Sequence, residues 1–568
     1  MFKKHLLPVL LTLAAGAVYY YFSLPVLNIR ASSFWGFLLF LAVFYIIVRL
    51  LCVKGLGRFV DVKNRKVTWE PHKPSAKRLG KKGRIAIGAA VVVALAAGIG
   101  IWVSSSQMFR ASSYQQMLHV EEGVFQDDIA ELSFSQIPVV DKDTAQRLGG
   151  RKIGDMVDLV SQFSVSDLYT QINYQQKPYR VTPLEYASFF KWVANQSEGI
   201  PYYVSIDMAD QSTELVKLEE GMKYSPSEYL NRDLTRHIRF KYPTKMIYNI
   251  NFEVDDQGHP YWTASVYDYT IGFLGGKDIT GLILVDAVTG ETVYHDVADV
   301  PQWLDQVYPA GLVVEQANYW GKYGNGYWNT VFSQKGVVTT TAGYNYIALN
   351  DDVWMFTGIT SVVSDKSNIG FILVNLRTKE CKKYTVNGAE EFSAMSSAEG
   401  KVQEKGYKAT FPILMNIADQ PTYFISLKDN AGLVKAYSFV SVANYQIVGV
   451  GDTLEAAQNE YIRLLGTESE TEGAVSQTAE GTIETIATAV KEGNSYYYIK
   501  LRGSRQIYVA SIAISDQLPV LSAGDRIQLE ALPRDDTFQE VVSLTLPGGA
   551  DAGASSQQTT GEPAGLTE

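Results

Sequence analysis

Cysteine and histidine are the scarce residues of this chain, with two and six copies among 568 residues. Cys52 lies at the edge of an apolar run and Cys381 far beyond it, so no intramolecular disulfide is expected. A large domain without such staples must rest on its apolar core. None of His119, His237, His259 and His295 stands at metal-ligand spacing from another His, Cys or carboxylate, so no metal site is expected. The chain also lacks a Gly-x-Ser-x-Gly elbow, a His-Glu-x-x-His helix and a phosphate-binding loop. No cofactor is therefore expected, and no catalytic residue is assigned. Ser364-Asp-Lys366 and Ser426-Leu-Lys428 place hydroxyls near lysines without the context of a Ser-Lys dyad, and Cys381 has no histidine near it in sequence. The acidic pairs Asp127-Asp128, Glu219-Glu220, Asp255-Asp256 and Asp351-Asp352 match no calcium loop. The last two pairs fall in expected hairpin turns, where Asp bonds the backbone.

Long apolar runs are present, and they are confined to the first 105 residues. Leu6–Val26, Phe34–Cys52 and Ile85–Val103 are each long enough to cross a bilayer as a helix. Between the second and third, the segment 54–84 carries eleven Lys and Arg against Asp61 and Glu70. A short basic loop beside membrane spans stays in the cytoplasm. The expected topology thus has a cytoplasmic N-terminus, a multi-pass anchor in the plasma membrane and everything from 106 onward extracytoplasmic. The small residues Leu13-Ala14-Ala15-Gly16-Ala17 after a basic start also fit a cleaved signal peptide. Tyr19, Tyr20 and Tyr21 prolong the apolar run past that site and favour an uncleaved span.

Charge divides at the same boundary. Residues 1–105 hold fifteen basic and two acidic groups, net +13; the whole chain carries −10, so the remainder carries −23. An exported domain that acidic excludes nucleic acid as a partner held by bulk charge. The expected partners are membrane lipid, an envelope protein or a second copy of the chain, and cell-wall glycan. Export without disulfides points to a Gram-positive bacterium.

The expected fold class is α+β: three N-terminal transmembrane helices, a repeat-built antiparallel ectodomain and a small C-terminal β-barrel. Residues 106–200 read as a juxtamembrane helical region, with a capped helix from Thr182-Pro-Leu-Glu185 to Val193. From 201 to 466, three segments read as strand, tight turn, strand, with Asp207, Asp286 and Asn375 ending the first strand of each. Each precedes a helix-start signal, at Ser225-Pro226-Ser227-Glu228, Asp299-Val-Pro301 and Asn387-Gly-Ala-Glu390. Strand pairs follow each helix, so the unit reads as hairpin, helix, strands, three times over. Residues 467–480, rich in Thr, Ser, Glu and Gly, read as a linker, 481–547 as five alternating strands, and 548–568 as a disordered tail.

Gly281-Leu-Ile-Leu-Val-Asp-Ala-Val-Thr-Gly-Glu-Thr-Val-Tyr294, with Tyr261-Trp-Thr-Ala-Ser-Val-Tyr267 before it, resembles the paired strands of PepSY-type extracytoplasmic domains. The resemblance covers some 50 residues and implies a binding or regulatory role, with no catalytic residues to carry over. The five strands of 481–547, with Ala523-Gly524-Asp525 leading into the fourth, resemble an OB-type barrel. That resemblance implies an aromatic binding face, for which Tyr496, Tyr498 and Tyr508 are the candidates. A second candidate site is Tyr319-Trp320-Gly-Lys-Tyr323-Gly-Asn-Gly-Tyr327-Trp328-Asn329, five aromatics in eleven residues. Glycine spacing reads there as a sugar- or peptide-binding loop, against the alternative of a packed connection.

Three functional readings follow. The first is a non-enzymatic bacterial envelope protein that binds, scaffolds or regulates other envelope components. The second is an extracytoplasmic hydrolase of wall glycan or peptide. A transporter is disfavoured, because the spans hold no ionisable residue beyond Arg49.

Overall fold

The computed structural model describes residues 2–55, 81–362, 364–386, 388–473, 477–491, 494–515, 517–533 and 537–545. Most of the basic loop 54–84 and the whole tail 548–568 lie outside them. Two compact units result, Met1–Ile462 and Arg463–Glu568.

In the first unit the apolar runs are helices α1 (Phe2–Ser23), α2 (Ser32–Gly55) and α3 (Lys81–Ser105). All three are long and apolar enough to cross a membrane, with mean hydropathies of 1.6, 2.3 and 1.9 over the spanning stretches. The protein is membrane-anchored. α1 and α2 pack as a hairpin, with Tyr19 stacked on Phe37 and Phe40. Gly16 permits that approach, since a Cβ there would stand 2.7 Å from Leu41 Cδ2.

Beyond α3 the repeat is a helix followed by an antiparallel four-strand meander, and there are four copies. The helices are Lys142–Gly154, Leu234–Lys241, Ala310–Tyr323 and Glu391–Lys401. The first meander runs Thr170–Tyr174, Lys177–Tyr186, Ile200–Asp207, Thr213–Met222. The second runs Met246–Val254, Pro260–Ile271, Gly275–Asp286, Thr292–Asp296. The third runs Asn345–Leu349, Asp352–Ser361, Ser364–Asn375, Cys381–Tyr384. The fourth runs Ile413–Ile417, Gln420–Lys428, Val434–Ser441, Val448–Gly451. Short strands extend the first, third and fourth sheets at their edges.

The turns show why these sequences repeat. Three of the four opening hairpins close on two left-handed residues, Gln175-Gln176, Asn350-Asp351 and Ala418-Asp419, with φ from 51° to 67°. Two such residues in a row make the turn whose twist matches paired strands. An Asx residue closes the hairpin of the third and fourth strands in the first three copies, and that of the second and third strands in the fourth. Oδ1 of Asp207, Asp286, Asn375 and Asp429 accepts amides of the turn, from Ala209, from Val288 and Thr289, from Arg377 and Thr378, and from Ala431 and Leu433. A left-handed residue then turns the chain: Gln211, Gly290, Lys379 and Gly432. Only two of those four are glycine.

Several sequence expectations are corrected. The copies number four, from 142 to 451, and each begins with its helix. The region 106–200 is not helical throughout: beside its helices it holds the first two strands of the first meander, and Thr182–Glu185 lies in the second of them. The helix following that strand is Phe189–Asn195, capped by Ser188. The signal at Ser225–Glu228 precedes the helix by more than a turn; Asp233 caps it instead, Oδ1 accepting the Arg236 amide at 2.8 Å. Glu228 is buried, accepting Tyr186 OH and Trp192 Nε1 at 2.8 and 2.6 Å. Past Asp299-Val-Pro301 the helix waits until Ala310, while Leu304 and Val307 fill the core from the connection. The linker expected at 467–480 is shorter than its composition implied, because the helix Leu454–Gly473 continues through it and a strand begins at Gln477. Gly449 and Gly451 seat the start of that helix, since a Cβ on either would meet its backbone within 2.5 Å.

The second meander carries the membrane helices. Leu27 N donates to Pro243 O at 2.7 Å, and Arg30 Nη1 to Asp268 Oδ1 and Tyr269 O at 2.9 Å each. Ser105 Oγ at the end of α3 accepts the amides of Phe273 and Leu274 at 3.0 Å each, and Tyr114 OH donates to Ser105 O at 2.7 Å. The α1–α2 connection and the C-terminal end of α3 thus grip one sheet.

The second unit is a closed five-stranded barrel of Gln477–Lys491, Asn494–Leu501, Ile507–Ser511, Arg526–Pro533 and Phe538–Thr545. Its first strand pairs with the second through one half and with the fourth through the other, and a register shift after Ile483 gives the bend. The third and fifth strands pair in parallel. Ile483, Ile499, Leu501, Ile527 and Leu529 centre the core.

Candidate functional site

A cleft of about 740 Å³ lies between the first and second meanders. Tyr174 and Tyr179 reach it from the two sides of the Gln175-Gln176 turn, their rings 5.5 Å apart and edge to face. Tyr203 enters from the next strand but one, and its hydroxyl donates to Gly258 O at 3.2 Å. Glu214 and Lys217 line the cleft from the fourth strand, and the turn Gln257-Gly258-His259 from the neighbouring sheet. Burial and the nearby Asp207 carboxylate push the Tyr179 phenol up to about 12, so the ring is a neutral platform at physiological pH. Tyrosine faces with the acids Glu214, Glu219 and Glu220 and the amine of Lys217 beside them suit a polar ligand with an apolar face, such as a glycan or an extended peptide. This cleft is not among the sites expected from the sequence. Its signal was Asn173-Tyr-Gln-Gln-Lys-Pro-Tyr179, two tyrosines flanking a two-residue turn.

The aromatic cluster at 319–329 is helical and no loop. Tyr319, Trp320 and Tyr323 close the helix Ala310–Tyr323, and Tyr327 and Trp328 open the short helix Tyr327–Val331. Gly321 brings the long helix onto its sheet, since a Cβ there would lie 2.4 Å from Val338 O. Tyr319, Tyr323 and Tyr327 form a stacked ladder at 6.1 and 6.2 Å, with Tyr114 edge-on against the first two. Tyr323 OH donates to Gln107 Oε1 at 2.6 Å. Trp320 packs against the core between the second and third meanders. Trp328 alone of the five is exposed, and it continues onto Phe332 with parallel rings 5.7 Å apart.

The barrel splits its three candidates. Tyr508 is buried in the core, while Tyr496 and Tyr498 are half-buried neighbours on the opposite face of their strand. Their cross-strand partners are Ala489 and Ala487 on one side, Ser511 and Val509 on the other, and such small neighbours leave the rings uncovered.

The strongest carboxylate constellation is sealed. Asp305 and Glu253 are fully buried; Asp305 accepts the amides of Asn173 and Val353 at 2.6 and 3.2 Å, and its own amide donates to Glu253 Oε2 at 2.9 Å. Burial raises both, Glu253 to about 7, and for Asp305 the neighbouring Glu253 adds to the rise. The pair ties one strand of each of the first three copies together, and it lines none of the cavities described here. Cys381 is buried with its thiol pushed up. Among the described residues no group of His, Cys, Asp and Glu could hold a metal ion.

No family model and no curated protein matches the chain. Among solved structures, levansucrase from Bacillus subtilis aligns over 78% of this chain and 95% of its own at 9% identity, with a TM-score of 0.17. A likeness that low carries no argument about fold or function.

Proposed function

We propose that this is a bacterial envelope protein whose extracytoplasmic ectodomain binds and scaffolds, or regulates, other envelope components without catalysing a reaction. The observation that carries this reading is a division within the first unit. Its open cleft is lined by neutral tyrosines, whereas its most deeply buried carboxylates, Glu253 and Asp305, are locked into backbone bonds that join the copies. The second meander, where the PepSY-like resemblance falls, also holds the membrane helices, so a ligand in the cleft sits on a sheet fixed to the anchor. The barrel's strand order and its single parallel pair support the OB-like reading, with Tyr496 and Tyr498 as the binding face. The basic loop and the +13 against −23 charge division support a cytoplasmic N-terminus and an exported ectodomain.

The test is crosslinking capture in intact cells with the full chain and with a chain ending at Gly473. Capture of one envelope protein by both, lost on Tyr174→Ala with Tyr179→Ala, places recognition in the cleft; capture by the full chain alone places it in the barrel. A membrane-impermeant thiol reagent applied to a cysteine introduced at Ser135 tests orientation, and no labelling in intact cells refutes export. The hydrolase reading is favoured only by the adjacent Glu253 and Asp305. Wall-degrading activity abolished by Glu253→Gln in a folded protein would establish it.

A further inference from the structure

A second cavity, of about 590 Å³, lies where the membrane helices meet the second meander. Val26, Ile29 and Trp35 line it from the α1–α2 connection, Ile101 from α3, and Phe273 from the turn that α3 grips. Two guanidinium groups share these apolar walls. Arg30 is neutralised by Asp268 at 2.9 Å. Arg239 is not. It is 6% exposed, its Nη1 donates to the carbonyls of Tyr242 and Lys245 at 3.4 and 2.7 Å, and its buried Nε has no acceptor. No carboxylate among the described residues stands within ion-pair distance of it. Burial lowers its pKa, which marks the cost of holding that charge out of water. A guanidinium held out of water with an unpartnered Nε calls for a counter-ion.

The position of the cavity says which anion is at hand. α1 ends at Ser23, α2 begins at Ser32 and α3 ends at Ser105, so this is the depth at which spans leave the hydrocarbon and phospholipid phosphates lie. We propose that the cavity seats the phosphodiester of a phospholipid from that leaflet as the counter-ion of Arg239, with the glycerol and first acyl carbons against Ile29, Trp35 and Ile101. The proposal rests on reading the three helices as membrane spans, and it holds for either orientation. A bound lipid would couple the anchor to the sheet that forms one wall of the tyrosine-lined cleft.

Full-length protein in mild detergent, supplied with phosphatidylglycerol and examined by native mass spectrometry, tests it. The expected result is one retained lipid per chain, with affinity reduced roughly tenfold by Arg239→Gln, the loss of one charge-assisted contact. Ile29→Trp, an exposed position that fills the cavity without touching Arg239, lowers retention while the melting temperature stays unchanged. Retention equal to wild type in both variants overturns the proposal. So does inorganic phosphate binding to delipidated protein with the same dependence on Arg239 and displacing the lipid, which would make this a site for a soluble anion. The readout is blind to which side of the membrane the ectodomain faces, so this proposal and the topology fail separately.

Discussion

The two compact units solve the same problem with different interiors. The first buries ionisable groups throughout its core, among them Arg180, Glu228, Arg239, Glu253, Asp305, Asp352 and Glu391. In the barrel, Gln539 is the one buried polar residue among those described, and its core is aliphatic side chains with Tyr497 and Tyr508. A closed barrel satisfies its backbone through its own ladder and needs no side-chain charge to do so. Four meanders joined by irregular connections leave backbone amides facing each other across copies. Asp305 meets that need by accepting from Asn173 in the first copy and Val353 in the third. Buried charge at Asp305 therefore reports the joining of repeats, and the two units should respond differently to charge removal and to pH.

The largest effect is expected at Asp352, which accepts Arg377 Nε and Nη2 at 2.6 and 2.8 Å and Asn375 Nδ2 at 2.8 Å. Arg377→Ala strands a buried carboxylate and should destabilise the first unit by about 3–5 kcal/mol. Chemical denaturation followed by tyrosine and tryptophan fluorescence should show that transition moving alone. A barrel transition that shifts by the same amount would dissolve the distinction between the units.

Next comes pH. The Glu253 carboxyl stands at about 7 in the folded chain against an ordinary value of 4.5. Below about pH 4.5 both states are protonated and nothing is lost. As pH rises to about 7 the unfolded chain ionises first, and folding is penalised by up to about 3 kcal/mol. The first unit should thus lose stability between about pH 4.5 and 7 through this group and level off above. Glu253→Gln should flatten that slope, leaving the share of Asp305, and the barrel's melting should stay level. A slope unchanged in the variant would mean that another group carries the proton.

How much of this was legible follows from the same physics. The apolar runs gave the spans because hydrocarbon thickness sets a length that composition alone can meet. The strand pairs were legible wherever the turn carried Asx and glycine, as at Asp286–Gly290. The fourth copy's helix and first two strands read as the close of a third unit, and Asp429 announced no fourth one, because its turn joins the second and third strands, is one residue shorter and follows Asn375 by 54 residues where the earlier spacings are 79 and 89. The first copy's opening turn was hidden by Gln175 and Gln176, which adopt left-handed backbone without belonging to the residues that favour it. Helix starts were misplaced because Ser225–Glu228 has the composition of a cap, yet Glu228 is spent on Tyr186 and Trp192, partners far off in sequence. The tyrosine-lined cleft depends on two sheets meeting, which no local pattern records.

The smallest stability effect carries the sharpest functional contrast. Aromatic density drew attention equally to 319–329 and to the barrel tyrosines, yet the first is mostly a packed ladder and the second is partly a free face. Tyr498→Ala, with Tyr496→Ala, should change barrel stability by less than about 1 kcal/mol, since among the described residues the rings meet small cross-strand neighbours and Phe538. Tyr508→Ala should instead cost about 3 kcal/mol, the scale of a core aromatic deletion. If the barrel is a recognition module, affinity for a wall-glycan fragment, read by isothermal titration calorimetry, should fall in the first variant while melting stays in place. Loss of binding only in Tyr508→Ala, together with loss of fold, would show that the half-buried face recognises nothing and that these tyrosines, like Tyr319 and Tyr323, are there to pack.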